Sequence, residues 1–389
     1  MQQGNSTYQR PDLMLKNTRL AIVCTHPIQY YAPVFKLLAK EIQLMVFYTA
    51  GSAVNHDRGF GLNIKWDIPL LHGYNYHFLN NTAKTPGTHH FFGITTPDAI
   101  QTIREFNPHF LLIYGWASYS HFRILQHFKK KTKIFFRGDS TLLQKDHMIK
   151  HIVKKIGLNY LYRGIDHAFY VGTNNKNYFK KFGFQASQLH FIKHAVDNQR
   201  FAHNSQNTSI REQLQLNDTD VLILFTGKFI PLKNAELLLL AFQQLNLQNA
   251  KLLLVGDGPL SSQLKSNYPH QNIHFLPFQN QRMMPSIYQA CDLFCMPSKR
   301  ESWGLAVNEA MAAGKAILVS DRVGSAVDLV KPANGLVFRS EDLQDLKRQL
   351  EILCTSRYQL QTMGRSSLSL ISSWSFEDQT KKILDALSS

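Results

Sequence analysis

The chain has 389 residues, 44% of them hydrophobic; that length suits two domains rather than one, and that composition excludes a disordered chain. No apolar run long enough to form a membrane-spanning helix is present, and Cys24, Cys291, Cys295 and Cys354 have no metal-ligand spacing and read as buried free thiols. The formal charge of +16 is lopsided, with 25 Lys+Arg against 10 Asp+Glu in residues 1–200 and 18 against 17 in residues 201–389, so an anionic partner is expected on the first half alone.

Residues 1–18 are polar and mixed, lack the apolar core of a signal peptide, and are expected to be a frayed tail. Leu20–Cys24 reads as a strand, Thr25-His26-Pro27 as a loop and Tyr31–Leu38 as a helix, followed by a strand over Ile42–Tyr48. The stretch 51–93, rich in Gly, Asn and His but too aromatic for a linker, reads as packed insertion loops. Phe110–Tyr114 and Lys133–Phe136 are strands, with a helix to His127 between them and a helix over Lys145–Tyr162 after them; Ala168–Val171 closes the series. Asp197–Ser209, polar and rich in Asn, His and Gln, reads as a hinge. Beyond it, strands at Val221–Phe225, Leu252–Val255, Ile273–Leu276, Leu293–Met296 and Ala316–Val319 alternate with helical patterns, and a last helix over Phe376–Leu387 follows every strand. This alternation predicts an α/β protein of two Rossmann-like domains facing across a cleft. The expected boundaries are 19–200 and 201–375, with helix 376–389 packing back on the first domain.

The chemistry-bearing residues cluster in the second half. Gly227-Lys228, with Lys233 five positions on, follows a strand and opens a helix. A glycine that admits close backbone approach, two cations and a helix N-terminus suit a phosphate clamp; the alternative is two solvated lysines. Gly256-Asp257-Gly258-Pro259 breaks a strand into a tight turn and is not a dinucleotide fingerprint. Glu301 lies on a strand-to-helix loop and Glu309 inside the helix it opens. Such a pair can hold hydroxyls of a polyol, and the amides of Trp303, Gly304 and Leu305 can face an oxygen of a sugar or phosphate. Surface glutamates decorating a helix are the plainer reading of that pair taken by itself. All these motifs end strands of one sheet, where open α/β folds bind ligands.

As a set, Gly227-Lys228 with Lys233-Asn234, Val255 to Pro259, Ala290-Cys291-Asp292 into Pro297-Ser298, Glu301 to Leu305, Asn308 to Gly314, and Asn334 to Val337 resemble the donor domain of GT-B glycosyltransferases of family 4. The resemblance implies a retaining, metal-independent transfer of sugar from a nucleotide-sugar donor, with no cofactor. It implies that Lys228 and Lys233 bind the donor diphosphate, Lys228 standing where the family usually has arginine. Glu301 would contact sugar hydroxyls near the reacting carbon, and Glu309 the ribose.

In the first half, His26 to Pro33, Phe60-Gly61, Trp66-Asp67 and Arg137 to Ser140 resemble bacterial members of the family without identifying an acceptor. His26 is expected on a loop facing the cleft, and Arg137 and Asp139 at the end of a central strand, where they contact an acceptor or pair with each other. Lys150, Lys154 and Lys155, interleaved with Ile149, Ile152, Val153 and Ile156, form a basic amphipathic helix that either meets an anionic membrane or buries its isoleucines. The expected protein is a cytoplasmic enzyme, peripheral on the inner membrane face, acting on a cell-surface glycan or its lipid-linked precursor. A sugar-nucleotide epimerase of the same fold and a nucleic-acid-binding protein are the alternatives. The second lacks any zinc, helix-turn-helix or RNA-binding signature, so no nucleic-acid partner is expected.

Overall fold

The computed structural model describes residues 16–52, 56–57, 59–143, 148–203 and 210–389. Most of the expected tail, the expected helix start at Lys145, and residues 204–209 of the expected hinge lie outside them. The strands are β1 (Arg19–Cys24), β2 (Gln43–Tyr48), β3 (His56–Asp57), β4 (Leu62–Asn63), β5 (Asn75–Phe78), β6 (Phe110–Tyr114), β7 (Lys133–Arg137), β8 (His167–Tyr170), β9 (Leu189–Phe191), β10 (Val221–Thr226), β11 (Ala250–Val255), β12 (Ile273–Leu276), β13 (Leu293–Met296), β14 (Ala316–Ser320) and β15 (Gly335–Phe338). Two fully parallel sheets result, ordered β5-β2-β1-β6-β7-β8-β9 and β12-β11-β10-β13-β14-β15. Helices cover both faces, so the central strands read as unbroken apolar runs; every residue of β10, from Val221 to Thr226, is buried.

Five strands are absent from the sequence reading, two of them, β3 and β4, a short antiparallel pair inside the stretch taken as insertion loops. β5, inside the stretch taken as insertion loops, pairs in parallel with β2, and β9 and β15 also extend the sheets. The expected hinge differs too. Its first residue, Asp197, caps a helix over Asn198–Ala202, whose Phe201 is fully buried and meets Tyr288 of the second domain. The polar residues Asp197, Asn198 and Gln199 belong to this capped, docked helix. The helix Met148–Tyr162 does not bury Ile152 and Ile156, which are 51% and 68% exposed, and Val153 and Tyr160 join them on the surface. The side chains of Ile149 and Lys150 lie outside the described residues.

The last helix, Phe376–Ser388, leaves the second domain and places Phe376, Ile383, Ala386 and Leu387 in the core of the first, beside the helix Ala32–Glu41. The C-terminal edges of the two sheets therefore face each other across a cleft.

Candidate active site

The cleft is shaped first by glycine. β10 leaves the sheet through Gly227 at φ 150° and β11 through Gly256 at φ 151°. A Cβ on Gly256 would stand 1.9 Å from the Gly227 carbonyl oxygen, so the two loops touch backbone to backbone. The Gly227 amide donates to Val255 O at 3.0 Å and the Phe229 amide to Asp257 O at 2.8 Å. This locked pair of loops carries Lys228, and Lys233 follows just before the helix Ala235–Leu245.

The glutamate loop is fixed by its neighbour strand in the same way. The Glu301 amide donates to Arg322 O and its carbonyl accepts from Gly324 N, both at 3.0 Å. Gly304 turns at φ 92° and the helix Leu305–Ala312 begins, its first amides having no partner within the helix. Trp303 is buried, stacks on Trp374 at 5.4 Å between ring centroids, and donates from Nε1 to Asn308 Oδ1 at 2.9 Å.

These loops converge on one cavity of about 490 Å³. From the second domain, Gly227, Lys228, Lys233, Gly256, Glu301 and Glu309 line it, with the Trp303-Gly304-Leu305 turn; the first domain contributes Gln29, Tyr30, Phe60, Trp66 and Asp139. A second hollow of about 660 Å³, at the N-terminal ends of β2 and β5, has no charged residue in its lining. Size favours that hollow, but chemistry favours the cleft. His26 and Arg137 are outside the cleft lining. His26 bonds to Thr25 Oγ1 at 2.9 Å, and burial lowers its pKa against the pull of Asp57. Arg137 is buried at the end of β7 and forms no ion pair with Asp139 among the described residues. Enclosure and the Glu301 carboxylate push the Asp139 carboxyl up, and Arg137 opposes them.

Both lysines and both glutamates in the cleft have partners. Lys233 forms an ion pair with Glu301 inside the second domain. Lys228 reaches across to Asp57 at 2.8 Å, and its ammonium lies 5.1 Å from the centre of the Phe60 ring. Partial burial pushes the Asp57 carboxyl up, but hydrogen bonds from Lys228 and from the Phe60 and Gly59 amides outweigh it and hold the group below the usual carboxylate range. Glu309 is 4% exposed; Tyr30 donates to its Oε1 at 2.9 Å and Tyr288 to its Oε2 at 2.8 Å. Burial still wins over these bonds and raises its pKa.

That shift has a sign that can be measured. The folded chain holds a proton on Glu309 more tightly than the unfolded chain does, so its contribution to stability falls as pH rises from the unfolded pKa through the folded one. Glu309→Gln is therefore expected to melt above wild type at neutral pH, with the advantage shrinking as pH falls through the raised folded pKa towards the ordinary glutamate range and gone below it. Melting curves over that range check it, and a variant that melts lower throughout would show the charge to be favourable.

Sequence reasoning missed Asp57, Tyr30 and Tyr288. Tyr30 stood within a stretch already marked by resemblance. Asp57 sits on β3, a two-residue strand in an irregular stretch, and Tyr288 lies on the short helix Met284–Ala290; neither had a signal.

Comparison with known proteins bears on the fold. Residues 206–367 match the family model described as "Glycosyl transferases group 1". The chain is 28% identical over 192 residues to a D-inositol 3-phosphate glycosyltransferase of Nocardia farcinica, covering 46% of this chain and 42% of that one. It is 27% identical over 252 residues to a GDP-mannose-dependent monoacylated alpha-(1-6)-phosphatidylinositol monomannoside mannosyltransferase of Corynebacterium glutamicum, covering 61% and 64% respectively. The chain thus spans less than two thirds of either relative. Over 96% of its length it superposes on all of HepE of Anabaena, solved with UDP and glucose, at TM-score 0.73 and 18% identity. It superposes equally well, at 15% identity, on 98% of a sucrose-phosphate synthase of Thermosynechococcus elongatus. At such identities the likeness establishes the fold, two parallel-sheet α/β domains of the GT-B type.

Proposed function

We propose, with the match of residues 206–367 to glycosyl transferases group 1 as premise, that this protein is a retaining glycosyltransferase. It moves a sugar from a nucleotide donor to a hydroxyl of a cell-surface glycan or its lipid-linked precursor. One observation carries the reading: two lysines and two glutamates from the ends of β10 and β13 line a single cleft that the other domain closes.

Breaking a sugar–diphosphate bond builds negative charge on the leaving phosphate and positive charge on the sugar ring. Lys228, Lys233 and the first amides of helix Leu305–Ala312 meet the former. The diphosphate replaces the Asp57 and Glu301 carboxylates as partner of the two lysines. Glu301, released, turns to the sugar hydroxyls, while Glu309 takes the ribose hydroxyls. The acceptor oxygen bonds to the anomeric carbon on the face the phosphate leaves, and the acceptor proton passes to the leaving phosphate oxygen. These steps require no metal. Closure of the first domain excludes water and limits donor hydrolysis.

The test is a thermal-shift panel of UDP-, GDP- and ADP-sugars on wild type and Glu309→Ala. Ligand at about 100 Kd stabilises by roughly 2.7 kcal/mol. A shift with one donor class, lost in the variant, supports the reading. No shift with any sugar nucleotide on folded protein overturns it.

The same reading places the first domain on an anionic membrane. Ile152, Val153, Ile156 and Tyr160 are exposed on one helix, and Lys129 lies 5.5 Å from the centre of the Tyr160 ring. An apolar stripe in a half-molecule of net positive charge matches a bilayer that is apolar below and negative above. Wild type is expected to sediment with vesicles containing phosphatidylglycerol and to be released by high salt. Ile152→Ser with Ile156→Ser is expected to lower partitioning about thirtyfold or more, two side chains contributing roughly 1 kcal/mol or more each. Equal sedimentation with neutral phosphatidylcholine vesicles would count against it.

A further inference from the structure

Three side chains at the C-terminal edge of the first domain's sheet bury polar atoms that no group among the described residues satisfies. Arg137 ends β7 and is 2% exposed. Its Nη1 donates to Ile192 O at 3.3 Å, while Nε and Nη2 have no partner. Tyr114 ends the adjacent β6, its ring centre lies 6.0 Å from the Arg137 guanidinium carbon, and its hydroxyl has no partner. His194 follows β9, is 3% exposed, and has an unpartnered Nδ1. Tyr31 ties the group together, stacking on His194 at 5.8 Å and tilting against Tyr114 at 4.6 Å.

A guanidinium is permanently charged, and burying it with two open donors costs several kcal/mol unless something completes its shell. No carboxylate among the described residues forms an ion pair with Arg137; the nearby Asp139 lines the cleft instead. The open groups are donors or can be: the side-on edge of an arginine fork, a phenol and an imidazole. Burial, and then Arg137, lower the His194 pKa, so the ring is neutral and can keep its proton on the open nitrogen. Donors arriving from three different strand ends suit a tetrahedral anion better than a flat one.

We infer that Arg137, His194 and Tyr114 form a binding site for a phosphate group, and that this group is carried by the acceptor. The site stands on this geometry; its assignment to the acceptor rests on the transferase reading. The site borders the cleft, whose lining residue Tyr30 precedes Tyr31 and whose lining residue Asp139 stands two positions past Arg137. The acceptor is thus a phosphorylated sugar, polyol or lipid head, held by its phosphate in the first domain while its hydroxyl meets the donor.

The test uses inorganic phosphate and glycerol 3-phosphate as probes in thermal shift, on wild type, Arg137→Met, Tyr114→Phe and Lys233→Ala. Both probes are expected to raise the melting temperature of wild type and Lys233→Ala. Arg137→Met removes an unsatisfied charge at similar volume, so it is expected to melt no lower than wild type without phosphate and to lose the response. Tyr114→Phe deletes one hydroxyl and is expected to fold normally and bind phosphate about tenfold more weakly. A response kept in Arg137→Met and Tyr114→Phe but lost in Lys233→Ala puts phosphate on the donor lysines and overturns the site. Absence of any response overturns it as well. So does an Arg137→Met that melts low beside a Tyr114→Phe with full response, which would mark a structural arginine. A response to inorganic phosphate without one to glycerol 3-phosphate overturns the assignment to an acceptor. Sugar-nucleotide shifts read alongside report on the transferase reading separately, so either can fail without the other.

Discussion

Lys233→Ala is expected to lower kcat/KM for sugar transfer by about 10²–10³-fold, the usual cost of removing one preorganised group from a developing oxyanion. Its position argues for a loss at the upper end. Lys233 is held at the start of a helix by two loops locked through Gly227 and Gly256, so its ammonium is positioned before the donor arrives. Its removal also leaves the Glu301 carboxylate in the cleft without its partner, where it repels the incoming diphosphate. Glu301→Gln separates the two effects. It frees Lys233 for the donor, so donor KM is expected to hold or fall while kcat falls. Steady-state kinetics with the donor found by thermal shift checks both, and activity of Lys233→Ala within threefold of wild type would remove Lys233 from the chemistry.

Two of the cleft's contacts cross between domains: Asp57 on Lys228, and Tyr30 on Glu309. Both hold groups that the proposed donor needs. Donor binding and domain closure then compete for the same side chains, and the donor must outbid a carboxylate at Lys228 and a phenol at Glu309. The contact with Asp57 is partly exposed, which keeps its contribution small. A diphosphate, with more charge and more acceptor oxygens, can displace it.

How much of this was legible in the sequence depended on burial. The central strands, flanked on both faces by helices, must be apolar throughout, and β6 and β13 have the bounds the sequence indicates. Of the missed strands, β5, β9 and β15 are all sheet edges. β5 is largely exposed and β9 only half buried, so neither leaves a hydrophobic run to read. The second domain's site was legible for a related reason. Its ligand-facing residues sit on tight turns at strand ends, where glycine is required, and the turns fix their spacing. The first domain's share was less so: Arg137 and Asp139 were expected at a strand end, but Asp57 and Tyr30 act through contacts with residues far along the chain. The helix Met148–Tyr162 shows the limit of pattern alone: periodicity places Ile152 and Ile156 near one another, but only the fold decides whether that face meets a core or solvent.

Gly256→Ala is expected to be the most damaging small substitution in the second domain. The added Cβ would lie 1.9 Å from the Gly227 carbonyl oxygen and 2.9 Å from its carbon, both backbone atoms, at a φ of 151° that L side chains rarely adopt. Strain at such a residue costs about 1–3 kcal/mol, and forcing apart a packed backbone contact about 1–3 more. For a domain of this size the melting temperature should fall by roughly 5–20 °C. Gly115→Ala is the control: it also has a positive φ, of 74°, but an added Cβ meets nothing within 4 Å, so about 1 kcal/mol is expected. The loop that must yield at Gly256 also carries Lys228, so the folded fraction of Gly256→Ala should lose its sugar-nucleotide response as well. A variant that is unstable yet responds fully to donor would show that the β10 loop can shift without moving the phosphate clamp. One as stable as Gly115→Ala would mean that the two loops do not touch as described.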